Sequence, residues 1–372
     1  MLKLAELIDC LETFAPLPLQ ESYDNAGLLT GNAEMEITGA LLCLDATPEV
    51  IAEAIHQKCN LVITHHPIIF SGIKKLTGST YVERAVIAAI KNEIAIYAAH
   101  TNLDHLRQGV NGKIAERLGL KNTKILTPLK GRLVKLHTYV PHAAIMQVRQ
   151  ALFDAGAGAI GNYDECSFNV EGYGTFRAGN ETNPHVGERG LQHREPETKL
   201  EVIFPIWLQS RIISVLKEVH PYEEVAYDLV PLSNEWDVAG AGMIGELSHE
   251  MSATGFLTYL QKQMKTPMIR YTQFSTPDQP LIRRVAVCGG AGSSLLRDAI
   301  RQQADAFVSA DFKYHEFFDA EGKIMICDIG HYESEQFTVE VFGELLRRKF
   351  PTFATHFTSV NTNPINYFNE QN

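Results

Sequence analysis

Along the first 120 residues, short apolar runs alternate with amphipathic stretches. GALLCLDA (39–46) reads as a buried strand, and Thr47-Pro48 opens a helix that runs toward Lys58. LVITH (61–65) is a second strand, TYVERAVIAAIKN (80–92) a helix and EIAIYAAH (93–100) a third strand. GVNGKIAERLGL (109–120) reads as a helix closing at Gly119, and the first 14 residues as an amphipathic helix. Strands alternating with helices predict a layered α/β domain with a largely parallel sheet.

The pattern changes near Pro128. RLVKLHTYV (132–140), TKLEVIFPI (198–206) and EVAYDLVPL (224–232) read as strands. HAAIMQVRQALFDAG (142–156) and LQSRIISVLKEVH (208–220) read as helices, and CSFNVEGYGTFRAG (166–179) as a further strand or hairpin. The polar, Gly/Pro-rich segment 180–197 reads as an exposed loop. This order, β-α-β-β-α-β, is the ferredoxin-like pattern. Beyond Ser233 the first rhythm resumes. RRVAVCGG (283–290), DAFVSAD (305–311) and KIMICDIG (323–330) are strands; SSLLRDAIRQQ (293–303), FKYHEFFDAEG (312–322) and SEQFTVEVFGELLRRKF (334–350) are helices. The predicted architecture is one layered α/β domain split in sequence, 1–130 and 233–372, around an inserted ferredoxin-like α+β domain at 131–232.

Charge narrows the partners. With 33 basic and 44 acidic residues the formal net charge is −11, which argues against a nucleic-acid clamp or an anionic membrane surface. The six cysteines form no CxxC pair, and Cys43, Cys288 and Cys327 sit in apolar strand-like runs. They read as core thiols of a reducing compartment. No apolar run approaches the roughly 18 residues of a membrane span, and the N-terminus lacks the basic and apolar regions of a signal peptide. A cytoplasmic protein is expected.

In parallel sheets, ligands bind past the C-terminal ends of strands. At those positions stand His65 and His66; His100 and Asp104; Gly289, Gly290 and Gly292; Asp311 and His315; and His331 and Glu335. His331 and Glu335 are four apart at a helix start, so they share one face. Imidazole with carboxylate suits Zn, Mn or Fe ions. Neighbouring strand residues point to opposite faces, so His65 and His66 suit two ions better than one. Asp104 adds an oxygen ligand, and five ligands over two ions leave open positions for water or substrate. The GGAGSS turn offers backbone N–H groups for an anion at Gly289, Gly290 and Gly292, although it lacks the lysine of a P-loop. His100, Asp311 and His315 are candidate proton shuttles. His137, His142, His185, His193 and His220 read as structural or surface residues.

YDNAGLLTG, LCLDAT, THHPIIF, AAHTNLD, VCGGAGSS, SADFKYHE and IGHYESE follow one another across the chain. In that order they resemble the NIF-three-like family, whose bacterial members are called type 2 homologs of GTP cyclohydrolase 1. HPYEEVAYD and the insert resemble the long bacterial form with a CutA/PII-like domain. The resemblance implies two divalent metal ions per chain, held by His65, His66, Asp104, His331 and Glu335. Glu335 is expected to bridge them, with His65 and His331 on one ion and His66 and Asp104 on the other. It further implies a toroidal homohexamer and a metal-dependent hydrolase acting on a nucleotide or phosphoester through an activated water. The rival expectation is a non-enzymatic, metal-dependent ligand-binding or regulatory ring.

Overall fold

The computed structural model describes residues 2–274 and 281–368. The chain divides into two compact units, 1–127 with 239–372, and 128–238.

The larger unit is a mixed α/β structure with two sheets. The first sheet has the order Gly27–Thr30, Ala95–Ala98, Leu61–His66, Ala40–Asp45, Thr355–Phe357. Its strands are parallel except for antiparallel Gly27–Thr30 at one edge. The second has the order Arg270–Tyr271, Met325–Asp328, Ala306–Ala310, Ile282–Ala291, Glu235–Met251, Lys121–Lys130, with its middle three strands parallel. Alternation along each strand divides its side chains between two layers. Leu42, Ile63, Tyr97, Val285, Val287 and Val308 turn into one core shared by both sheets. Leu41, Cys43, Val62 and Ile96 pack on the opposite face with Val50, Ile51, Ala85 and Val86, residues of helices Pro48–His56 and Tyr81–Lys91. Thr47 and Thr80 cap those helices by accepting the Val50 and Glu83 backbone N–H groups. Because the sheets share a core, the strand ends of the N-terminal half meet those of the C-terminal half.

The smaller unit is a four-stranded antiparallel sheet in the order Phe168–Arg177, Gln192–Pro205, Leu133–Pro141, Tyr227–Leu232. Val134, Leu136 and Val140 alternate into its core against Val148, Leu152, Ile212 and Leu216, residues of helices Ile145–Asp154 and Gln209–Val219.

Several elements differ from the sequence expectation. Residues 192–197, expected in a loop, belong to the strand Gln192–Pro205; their polar side chains conceal full pairing with the neighbouring strand. The helix expected over 334–350 is two, His331–Glu335 and Thr338–Lys349. The strand Glu235–Met251 and helix Ala253–Met264 had no reading, since Gly240, Gly242 and Gly245 break the apolar alternation of the strand. Of the cysteines, Cys10, Cys43, Cys59 and Cys327 are buried, and all six are free. Among the described residues, no helix is long and apolar enough to cross a membrane.

Candidate metal centre

Five predicted ligands converge within the larger unit. His65 and His66 close the strand Leu61–His66, and Asp104 ends the short helix Thr101–Asp104 that follows Ala95–Ala98. His331 and Glu335 bound one short helix. That helix starts from Gly330 at φ +92°, a conformation side chains other than glycine rarely adopt.

Each of three imidazoles is fixed through Nδ1. His65 Nδ1 lies 2.8 Å from the Ala99 carbonyl oxygen, His66 Nδ1 2.7 Å from Asp45 Oδ1, and His331 Nδ1 2.6 Å from Asp311 Oδ2. A donor hydrogen at Nδ1 leaves Nε2 as the free nitrogen, the second contact typical of metal-ligating histidines. Asp45 stands opposite His66 in the parallel register and also accepts from Thr362 Oγ1 at 2.5 Å. Asp311 reaches His331 from a left-handed backbone, φ +57°, which aspartate tolerates better than most residues.

The Nε2 atoms then meet the carboxylates. Glu335 Oε2 is 3.0 Å from His66 Nε2 and 3.1 Å from His331 Nε2, and Glu335 Oε1 is 3.8 Å from His65 Nε2. His65 Nε2 is 3.5 Å from Asp104 Oδ1. Three groups of possible ligands result, His65–Asp104–Glu335, His66–His331–Glu335 and His65–His66–His100, each with its ligand atoms within 4.8 Å of one another, and Glu335 belongs to the first two. This corrects the expected partition. His331 sides with His66, their Nε2 atoms 3.3 Å apart, and Asp104 sides with His65. The His65 and His66 rings stay beside one another, their centroids 4.9 Å apart, and the partition follows from which short helix reaches which ring: the one ending in Asp104 comes to His65 and the one starting at His331 comes to His66.

The donor set fits divalent cations. Ligands about 2.1 Å from a tetrahedral ion stand roughly 3.4 Å apart, and the separations given above fall around that value. His65 Nε2 and Asp104 Oδ1 are buried without a hydrogen-bond partner among the described residues, a costly state for polar atoms. Electrostatics point the same way. Burial opposes protonation of His66 and His331, yet Asp45 and Glu335 lift His66 to about 9, and Asp311 and Glu335 lift His331 to about 11. Burial also opposes ionisation of Glu335, but His331, His65 and His66 hold its carboxyl well below the usual range. Burial pushes the Asp104 carboxyl up. At neutral pH a metal therefore competes with protons for the imidazoles, because a ligating histidine must be neutral.

Of the other candidates, His100 stays beside the cluster. The His100 ring lies 5.3 Å from that of His65 and 5.5 Å from that of His66, its Nδ1 2.7 Å from Asp24 Oδ1. Asp311 buttresses His331, so its reading as a proton shuttle is replaced by a positioning one. His315 is exposed and packs beside Tyr314 and Phe318, not against the cluster. The glycine turn is not a free anion cradle. The Gly289 N–H donates to Asn111 Oδ1 at 2.9 Å and the Gly290 N–H to Ser334 Oγ at 2.9 Å. Its glycines serve close packing instead. A Cβ on Gly290 would lie 2.5 Å from Glu335 Oε1, and one on Gly292 would lie 2.4 Å from Ser309 Oγ. Asp24, Asp45 and Thr362 were missed. Asp45 had a signal, a carboxylate at the end of the strand beside THH; Thr362 had none.

Fold and site together define a two-sheet α/β protein whose strand ends gather a histidine–carboxylate cluster able to hold metal. The family model of Duf34/NIF3 (NGG1p interacting factor 3) matches residues 2–364, and the chain belongs to that family. It is 38% identical over 367 residues to the GTP cyclohydrolase 1 type 2 homolog of Halalkalibacterium halodurans, covering 97% of this chain and 98% of that protein. Its structure is similar to that of the Bacillus cereus protein related to NIF3, with a TM-score of 0.84, 35% identity and 99% of both chains covered. A Staphylococcus aureus protein is similar over 99% of both chains, with a TM-score of 0.78 and 29% identity.

Proposed function

We propose that the cluster is the dinuclear centre of a metal-dependent hydrolase acting on a nucleotide or phosphoester. Glu335 carries the reading. One buried carboxylate presents separate oxygens to two triads, and on one side His65 Nε2 and Asp104 Oδ1 face each other without hydrogen bonds. Zn, Mn or Fe suits these donors. When bound, two such ions supply a lowered water pKa and polarisation of a phosphoryl or carbonyl oxygen. The chain's own residues divide the remaining work. His65, His66 and His331 are pre-oriented by Ala99, Asp45 and Asp311, so little side-chain entropy remains to be lost on binding. His100, aligned by Asp24, holds or passes a proton beside the histidine pair. Tyr23 and Phe70 are exposed with ring centroids 6.4 Å apart, and Phe70 lies 6.3 Å from His100. Exposed aromatic faces are suitable platforms for a nucleobase.

The name of the relatives makes GTP the first substrate to test. Further parts of the proposal are a toroidal homohexamer and an inserted ferredoxin-like domain, the latter supported by the strand order of the unit 128–238. The buried thiols support a cytoplasmic setting. The functional test is turnover of GTP, other nucleotides and phosphoesters by the metal-loaded protein, beside Glu335→Gln. The loaded protein should exceed the variant at least a hundredfold on one of them. If no substrate is turned over faster than by the variant, the hydrolase reading is wrong and a ligand-binding ring takes its place.

The carboxylates behind the histidines give a separate prediction. Asp45→Asn and Asp311→Asn should each weaken metal binding on the His66–His331 side by about 10–100-fold and leave the His65–Asp104 side near its original affinity. Competition with a chelating dye reads both constants. Equal loss on both sides would contradict the assignment.

A further inference from the structure

The smaller unit contains a cavity of ≈ 600 Å3 beside the strand Phe168–Arg177, a size typical of small-molecule sites. Its floor holds Glu197, only 7% exposed. Glu197 Oε1 accepts the Tyr222 hydroxyl at 2.8 Å; Oε2 has no hydrogen-bond partner among the described residues. Burial, reinforced by Glu197, pushes the Tyr222 phenol up, so it remains a donor. One phenol is a weak offset for a buried carboxylate. The neighbouring strand makes room for it: a Cβ on Gly174 would stand 2.1 Å from Glu197 Oε2, whereas Gly172, paired with Glu197 across the strands, faces open space.

The walls are largely apolar, with the Phe176 and Tyr222 rings 6.2 Å apart. Acidic groups outnumber basic ones around them: Glu171, Glu197, Glu223 and Glu224 against Arg177 and Lys199. Lys199 Nζ is itself engaged by Glu201 at 2.6 Å. We propose that this cavity is a binding site for a small organic cation, an amine or amidinium on a flat apolar body, with Glu197 Oε2 accepting its N–H groups. Ring walls suit the body and the face of an aromatic ring attracts a cation, while the open carboxylate oxygen selects charge and donor geometry.

All the lining residues belong to the smaller unit, and none of them is a proposed metal ligand. Benzamidine is the probe and benzoate its counterpart of similar size and opposite charge. Titration calorimetry on the full chain should show benzamidine binding at least tenfold more tightly than benzoate. Glu197→Gln should weaken benzamidine at least tenfold. Gly172→Leu, at a position where an added Cβ meets nothing within 4 Å, should abolish binding, and thermal unfolding of both variants within a few degrees of the parent protein separates lost binding from a folding defect. The proposal is overturned if neither compound binds, if the two bind equally, or if benzamidine binding survives Gly172→Leu.

Discussion

Glu335→Gln is expected to cost the protein both metal ions at once. The substitution preserves volume but removes the one charge that faces His65, His66 and His331 together. An amide brings only a neutral carbonyl oxygen, and its NH2 group points a donor at one of the triads. Affinity on each side should fall at least a hundredfold, about 2.7 kcal/mol. In the metal-free variant the pKa values of His66 and His331 should also fall from about 9 and about 11, because Glu335 is one of the groups that raise them. Elemental analysis after dialysis against a weak chelator measures the first effect, and histidine NMR titration the second. A variant that keeps both ions would remove Glu335 from the centre of the account.

Variants of the other four proposed ligands should instead separate the ions. His65→Ala and Asp104→Ala are expected to empty the same side, and His66→Ala and His331→Ala the other. Each should leave one ion per chain, with the lost site weakened by more than about a hundredfold. Paired variants make the claim sharper. His65→Ala with Asp104→Ala should lose no more metal than either alone, whereas His65→Ala with His331→Ala should lose both ions. Had the partition followed the first expectation, His65 with His331, those two double variants would exchange behaviour. Stability should fall modestly, because truncating buried His65 leaves a cavity and frees the Ala99 carbonyl.

The five proposed ligands could be picked out because they lie where a parallel sheet exposes its strand ends, and because histidine at such positions stands out from apolar surroundings. Their partition was not legible. It depends on which short helix reaches which imidazole, and the one that brings His331 to His66 lies more than 200 residues further along the chain. The glycine turn was misread for a related reason. A Gly-rich strand end resembles an anion cradle until its donors are traced, and here Asn111 and Ser334 take the N–H groups of Gly289 and Gly290. Gly290 is instead glycine because Glu335 passes within contact distance and because its own φ is +60°. Asp311 was picked out for its address but given the wrong work, since only the fold brings it to His331 Nδ1. In the smaller unit, the alternation of Leu133–Pro141 disclosed a half-buried strand at once. Residues 192–197 did not, because an antiparallel pair at a sheet edge needs backbone partners and no apolar side chains.

The most direct test is an anomalous difference map from a crystal of the protein loaded with Zn or Mn. The account predicts two peaks on either side of the Glu335 carboxylate, one ligated by His65 and Asp104, the other by His66 and His331. A single peak, or His331 ligating the same ion as His65, would contradict it.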